Sequence, residues 1–154
     1  PGPCKLELRP AKLGESGFAE AFLDRALSRY VASDFSRALR DVEKAIELKP
    51  SFPVAHTIRS QMLAACPDDQ IRNGKLAVKS AQEACELTGW NKWECLSPLA
   101  AAHAENGDYK QAIELTSRAI ELAPNAQKDS LKEQLQLFEA NKPLRHDIPL
   151  KNEK

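Results

Sequence analysis

Three histidines and four cysteines are the residues best able to carry chemistry in this 154-residue chain. His56, His103 and His146 stand far apart, and each falls in an ordinary sequence position. No His-Glu-x-x-His run sets two imidazoles and a carboxylate on one helix face for zinc, and no Gly-x-Ser-x-Gly turn presents a nucleophile. Gly74-Lys75 lacks the earlier glycine and the following Ser or Thr of a phosphate-binding loop. Asp68-Asp69 is a fragment of a calcium loop without the remaining ligands. Cys4, Cys66, Cys85 and Cys95 form no Cys-x-x-Cys pair and have no histidine at zinc-ligand spacing. They read as small buried thiols on helices, with Cys85 and Cys95 placed to approach each other across a turn. Nothing assembles an acid, a base and a nucleophile, so the sequence points to a non-enzymatic protein with no catalytic residue, metal or cofactor.

Composition narrows the partner. Lys+Arg 22 against Asp+Glu 22 leaves no net charge, and no basic stripe marks a nucleic-acid binder. Hydrophobic residues at 42% and charged residues at 29% allow a core. No apolar run approaches the ~18 residues needed to span a bilayer, and no signal peptide opens the chain. The first residue is Pro1 rather than Met, which reads as an excised or processed piece. A protein or peptide partner is expected, without nucleic acid or membrane, and a cytoplasmic setting is favoured.

The elements that position these residues read as helices throughout. Residues 1–17 hold Pro1, Pro3, Pro10, Gly14 and Gly17, and read as a linker or loosely docked arm. Phe22, Ala26, Leu27 and Tyr30 follow helical spacing, Ser33-Asp34 breaks the run, and Leu39, Val42, Ala45, Ile46 and Leu48 resume it until Pro50. Asp34 is a candidate cap for the second of these helices, and Ser51 for the helix that starts around Pro53. That third helix ends near Cys66-Pro67; after a polar loop, helix resumes at Gly74 or Lys75 and stops at Gly89. Trp90 and Trp93 flank the next turn and are expected to pack on adjacent helices. Ser97-Pro98 leaves two readings: a helix starting there, or one already running with a bent first turn. Asp108-x-x-Gln111 is a capping-box pattern for a sixth helix, stopped at Pro124. Leu131, Leu135 and Phe138 give a seventh helix one apolar face, and the charged tail after Pro143 reads as frayed.

A repeat underlies this order. Ala38, Ala77 and Ala112 follow the three breaks at intervals of 39 and 35 residues. The third unit reads Leu96-x-x-Leu99-Ala100-x-x-His103, then Ala112-x-x-x-Thr116, Ala119 and Pro124. The first has Phe22, Arg25, Ala26 and Arg29, then Ala38, Val42, Ala45 and Pro50; the second has His56, Arg59, Ser60 and Leu63, then Ala77, Ala81, Ala84 and Gly89. This pattern resembles the tetratricopeptide repeat family, whose period is about 34 residues. Cys66-Pro67-Asp68 and Ala84-Cys85-Glu86-Leu87-Thr88-Gly89-Trp90 look like a bacterial-type subgroup of it. The resemblance implies an all-α fold, a short right-handed α-solenoid of three helix–turn–helix repeats plus a C-terminal capping helix. The repeats fall at about 18–50, 51–89 and 92–124 and the cap at about 126–141, within a domain of 18–143 followed by a tail of 144–154.

The same resemblance implies a non-catalytic scaffold with a concave groove lined by the first helix of each pair. Carried over, the groove positions are Glu20, Leu23, Leu27 and Tyr30, then Val54, Thr57 and Gln61, then Glu94, Ser97 and Ala101. Leu23, Leu27 and Tyr30 are the expected anchors for a partner segment. The family's clamp of Lys, Asn and Arg for a chaperone C-terminus is missing, its positions being held by Leu23, Leu27, Ile58, Glu94 and Pro98. A structural or self-associating module, a homodimer among the options, is the alternative. Arg25 and Arg59 fall where the third repeat has Leu99, and a buried arginine requires a partner. Asp41 is the expected partner of one or both.

Overall fold

The computed structural model describes residues 14–150. Seven α-helices and no strands occur among them: α1 Glu15–Val31, α2 Phe35–Leu48, α3 Pro53–Ala65, α4 Gly74–Thr88, α5 Trp93–Glu105, α6 Tyr109–Leu122 and α7 Asn125–Glu139. They form three antiparallel pairs, α1 with α2, α3 with α4 and α5 with α6. The second and third pairs stack through α3 on α5 and α4 on α5, the first pair meets the second through α2 and α3, and α7 closes the stack on α6.

The pairs pack closely because small residues stand where the helices meet. Ala26, Ala38 and Ala45 in the first pair and Ala100, Ala112 and Ala119 in the third are fully buried. Larger side chains fill the spaces between pairs: Leu23, Tyr30, Phe35 and Met62 in one cluster, Leu63 and Phe138 in a second, Leu96, Leu99 and Leu131 in a third. No pair could cover these faces alone; stacking makes the core continuous.

Helix boundaries follow local chemistry and differ in places from expectation. α1 starts at Glu15, because the Gly17 N–H bonds to the Gly14 carbonyl (2.8 Å) and opens the helix within the stretch read as linker. Residues 1–13, including Cys4, lie outside the described residues. Neither Asp34 nor Ser51 supplies a side-chain cap: Asp34 turns to Arg37, and α3 starts after Phe52. Asn73 caps α4 by accepting from Leu76 N–H (3.0 Å), and Asp108 caps α6 by accepting from Gln111 N–H (3.2 Å). The Gln111 side chain turns to Glu114 instead of reaching back. α5 is already running at Trp93 and carries Pro98 buried in its second turn. Gly89 and Gly107 take left-handed backbone, as do Ser33 after α1 and Asn141 after α7.

The face of α7 is rotated from the expected one. Leu131, Gln134 and Phe138 are buried, and Leu135 is half-exposed. Gln134 goes inside because Ser97 satisfies both ends of its amide: the Ser97 hydroxyl donates to its carbonyl (2.9 Å) and its NH2 donates to the Ser97 backbone carbonyl (3.2 Å). Of the tail read as frayed, residues 144–150 are docked on the helices and 151–154 lie outside the described residues. Leu144–Leu150 runs without regular secondary structure across the ends of α5, α3 and α1, where it meets the Glu105 carboxylate, the Ala64 and Ala65 carbonyls and the Tyr30 hydroxyl.

Candidate functional site: the concave face

The residues expected to line a groove stand on the first helices of the three pairs, α1, α3 and α5, and their burial sorts them. Leu23 and Tyr30 are not available as anchors, being only 5% and 7% exposed. Leu23 belongs to the first core cluster. Tyr30 packs edge-on against Phe35, with ring centres 5.0 Å apart, and its hydroxyl meets His146. Ala101 is buried in the cluster that includes Phe138 of α7, and Ser97 is half-buried and engaged by Gln134. The repeat pattern missed this because the capping helix and the C-terminal segment occupy positions that an open array would expose.

What stays open is shared between α1 and α3. Glu20 and Gln61 are exposed, Leu27 is 44% exposed, and Thr57 is half-buried. Between the starts of α3 and α5, Pro53, Val54, Thr57, Thr88, Lys92, Glu94 and Cys95 line an apolar cleft of about 310 Å³. Val54 presents a large aliphatic surface, with 54% exposed. Lys92 and Glu94 add one charge of each sign. The cleft can seat a side chain.

The charged residues that drew attention in the sequence bond to partners on the paired helix. Arg25 donates to both Asp41 oxygens, through Nε at 2.8 Å and Nη2 at 2.7 Å, and Arg29 adds a third bond at 2.7 Å. The Arg25 bonds hold the Asp41 carboxyl below its ordinary value against the opposing effect of burial. Arg29 stands one helical turn beyond Arg25, a spacing that signals a shared face. Arg59 does not reach Asp41. It donates to Ser80 (2.7 Å) and Glu83 (3.4 Å) on the paired helix α4, the nearest acceptors in its own repeat. His56 Nε2 donates to the Pro50 carbonyl (2.7 Å), and its Nδ1 lies 2.8 Å from Glu83. His103 faces Asp108 at 3.6 Å.

Cys66, Cys85 and Cys95 are buried free thiols. The Cys95 thiol donates to the Lys92 carbonyl (3.2 Å) and faces Cys85 across the α4–α5 turn. The approach of the two thiols draws Cys95 down and pushes Cys85 up, while burial pushes Cys66 up. Among the described residues no group of three or more His, Cys, Asp or Glu side chains could hold a metal ion, and no helix is long and apolar enough to cross a membrane.

Comparison with known proteins agrees with this architecture. Residues 93–126 match the family model of the tetratricopeptide repeat. No curated protein sequence matches the chain. Among solved structures, the Arabidopsis OM64 TPR domain is similar at TM-score 0.70 and 14% identity, over 82% of this chain and 98% of that one. The first TPR of Spaghetti (RPAP3), bound to the HSP90 peptide SRMEEVD, gives TM-score 0.68 and 18% identity over 81% and 93%. The Sgt2 TPR domain from Aspergillus fumigatus gives 0.67 and 19% over 85% and 88%. The chain therefore carries a tetratricopeptide repeat at residues 93–126, set in the all-α helical-repeat solenoid of TPR domains.

Proposed function

We propose that this protein is a non-catalytic scaffold that holds a segment of a protein partner against the open part of its concave face. The α3–α5 cleft carries the reading: it is apolar, accessible, and built on two rigid helices around Val54 and Thr57. A relative of the same fold holding an HSP90 peptide supports peptide capture as a use of such a face. The ligand here differs. The clamp positions hold Leu23, Leu27, Ile58, Glu94 and Pro98, so an apolar anchor suits the surface better than a C-terminal carboxylate. The histidines face structural partners, in line with a scaffold rather than an enzyme. The Cys66-Pro67-Asp68 loop and the Ala84–Trp90 run are the grounds for placing the chain in a bacterial-type subgroup.

The test is capture of a partner by the immobilised chain, repeated with Val54→Glu and Thr57→Arg. Loss of capture with an unchanged melting temperature supports the cleft; full retention in both variants removes it. Self-association is the second reading, favoured by a hollow of about 280 Å³ on α1 lined by Phe18, Ala21, Phe22 and Arg25, with Phe18 49% exposed. Light scattering separates the two: a stable dimer broken by Phe18→Glu places the contact there.

A further inference from the structure

A helix leaves its last four carbonyls without donors from its own backbone. At the end of α3, Leu63 accepts from Asn73 N–H (2.9 Å), and the following Cys66 and Pro67 carbonyls accept from Arg72 (2.8 and 3.1 Å). The Ala64 and Ala65 carbonyls are satisfied by the C-terminal segment. Arg145 Nη1 donates to Ala64 (3.3 Å), and the His146 main-chain N–H donates to Ala65 (2.8 Å). Arg145 also meets Glu105, the last residue of α5, at 2.6 Å. A cation at two helix C-termini complements their dipoles. The His146 ring meets the Tyr30 hydroxyl at 2.8 Å, and the Ser33 hydroxyl donates to the Pro149 carbonyl. Ile148 packs on the first core cluster and Leu144 on the second.

Residues 144–150 have no regular secondary structure, yet they contact fixed groups at the ends of three successive first helices. That is how an extended peptide is held: main-chain bonds for affinity and side chains in set places for selectivity. We propose that the strip of Tyr30, Ser33, the Ala64 and Ala65 carbonyls and Glu105 is a peptide-recognition site. The chain keeps it occupied with its own residues 144–150. A partner segment of the same chemistry takes it by displacement: a basic residue, then a histidine, then a branched aliphatic two positions further on. The strip lies at the opposite end of α3 from Val54 and Thr57, so it is a second site with a ligand of its own.

Tethering sets how the site behaves. A segment held by a short linker competes at an effective concentration on the order of millimolar. The intact chain therefore resists a free peptide, and a chain whose tail is disabled accepts it. The probe is a labelled peptide with the sequence of residues 143–150, added to the full chain and to the full chain carrying Arg145→Glu with His146→Ala. These substitutions disable the tail and leave the strip unchanged. The expected result is binding at least about tenfold tighter to the double variant, weakened again by adding Tyr30→Phe and unaffected by Val54→Glu. Equal binding, or no binding, to both chains while the double variant remains folded overturns the proposal. Should the double variant fail to fold, amide exchange of His146 in the unaltered chain decides: exchange slowed tenfold or more supports the site, and a free-chain rate overturns it. Loss of partner capture in Val54→Glu bears only on the cleft, so the two sites stand or fall separately.

Discussion

The Tyr30 hydroxyl lies 2.8 Å from His146 Nδ1, which joins α1 to a residue 116 positions later. The rings meet edge-on with centres 5.7 Å apart. Burial holds the His146 imidazole below its ordinary value of 6.5. Tyr30 faces it from α1, with Cys66 in the same core cluster as that tyrosine; Arg145 and Asp147 flank it on its own segment, and Glu105 of α5 pairs with Arg145. The docked ring favours the neutral form, so a detached tail binds a proton more readily. Docking is therefore fully present above the ordinary histidine value and is lost as the pH falls below it toward the depressed one. The protection factor of the His146 amide, its intrinsic exchange rate divided by the observed one, is expected to fall between about pH 7.5 and pH 5. An unchanged protection factor across that range removes the linkage.

Asp41 reports on the first pair in the opposite pH range. Its carboxylate accepts three bonds from Arg25 and Arg29 on α1, and the Arg25 bonds contribute most to holding its proton affinity down. A depressed carboxyl contributes stability above its ordinary value and loses it as the pH falls through the folded value. Asp41→Asn is expected to unfold at lower denaturant concentration than the unaltered chain near pH 7. The gap should begin to narrow below about pH 4, where the unfolded chain's aspartate takes up its proton, and close as the pH falls through the lower folded value. A gap that persists unchanged into acid would assign the effect to shape rather than charge.

Ser60 is fully buried and its hydroxyl has no hydrogen-bond partner. The equivalent positions in the other repeats are Ala26 and Ala100, both also fully buried. An unsatisfied buried hydroxyl costs about 1–3 kcal/mol. Ser60→Ala removes the oxygen without changing the close approach of the helices. It is expected to raise stability by about 1 kcal/mol, read as a higher midpoint in urea at unchanged slope; a fall would reveal a partner for the hydroxyl.

Gly74 opens α4 against the turn between α5 and α6. A Cβ there would stand 2.9 Å from the Asn106 nitrogen and 3.0 Å from its Cα, which are main-chain atoms that cannot swing aside. Overpacking of this kind costs about 1–3 kcal/mol, more than the propensity gained at a first helical residue. Gly74→Ala is expected to lower the melting temperature by several degrees, roughly 2–4 °C per kcal/mol for a chain of this size. Gly14→Ala, where nothing lies within 4 Å, is the control and should leave it unchanged.

The helix pairs were legible because alanine spacing, the glycines at 89 and 107 and the prolines at 50 and 124 all mark the same boundaries. The caps were less so. Asn73 was hidden in a polar loop, and Asp34 had the right residue type with its side chain turned to Arg37. The groove misled at Leu23 and Tyr30 because repeat spacing fixes which way a side chain points without saying what lies over it. His146 and Ile148 come from a stretch with Pro149 and many charges, which reads as a frayed end. Its bonds to Ala65, Ala64 and Ser33 run largely to and from main-chain oxygens, which leave no trace in a side-chain pattern. Of the two arginines expected to offer Asp41 a partner, Arg25 does so, while Arg59 bonds to Ser80 and Glu83 of its own pair.

Phe138 tests whether α7 is integral to the stack. Its side chain is fully buried, in a cluster with Leu63, Ala101 and Ala104 from α3 and α5. The small residues beneath it cannot close the space, so Phe138→Ala loses both the transfer of the ring and the contacts around the cavity, together about 3–5 kcal/mol. In a stacked array each pair depends on its neighbours, so the loss falls first on the α5–α6 pair that α7 covers. Leu137→Ala, at a half-buried position one residue earlier, should cost clearly less. Urea unfolding of both variants checks this. Equal costs, or a cost for Phe138→Ala below about 1 kcal/mol, would mean that α7 only rests on the solenoid. Because α7 leads directly into residues 144–150, the same variant should also quicken exchange at the His146 amide.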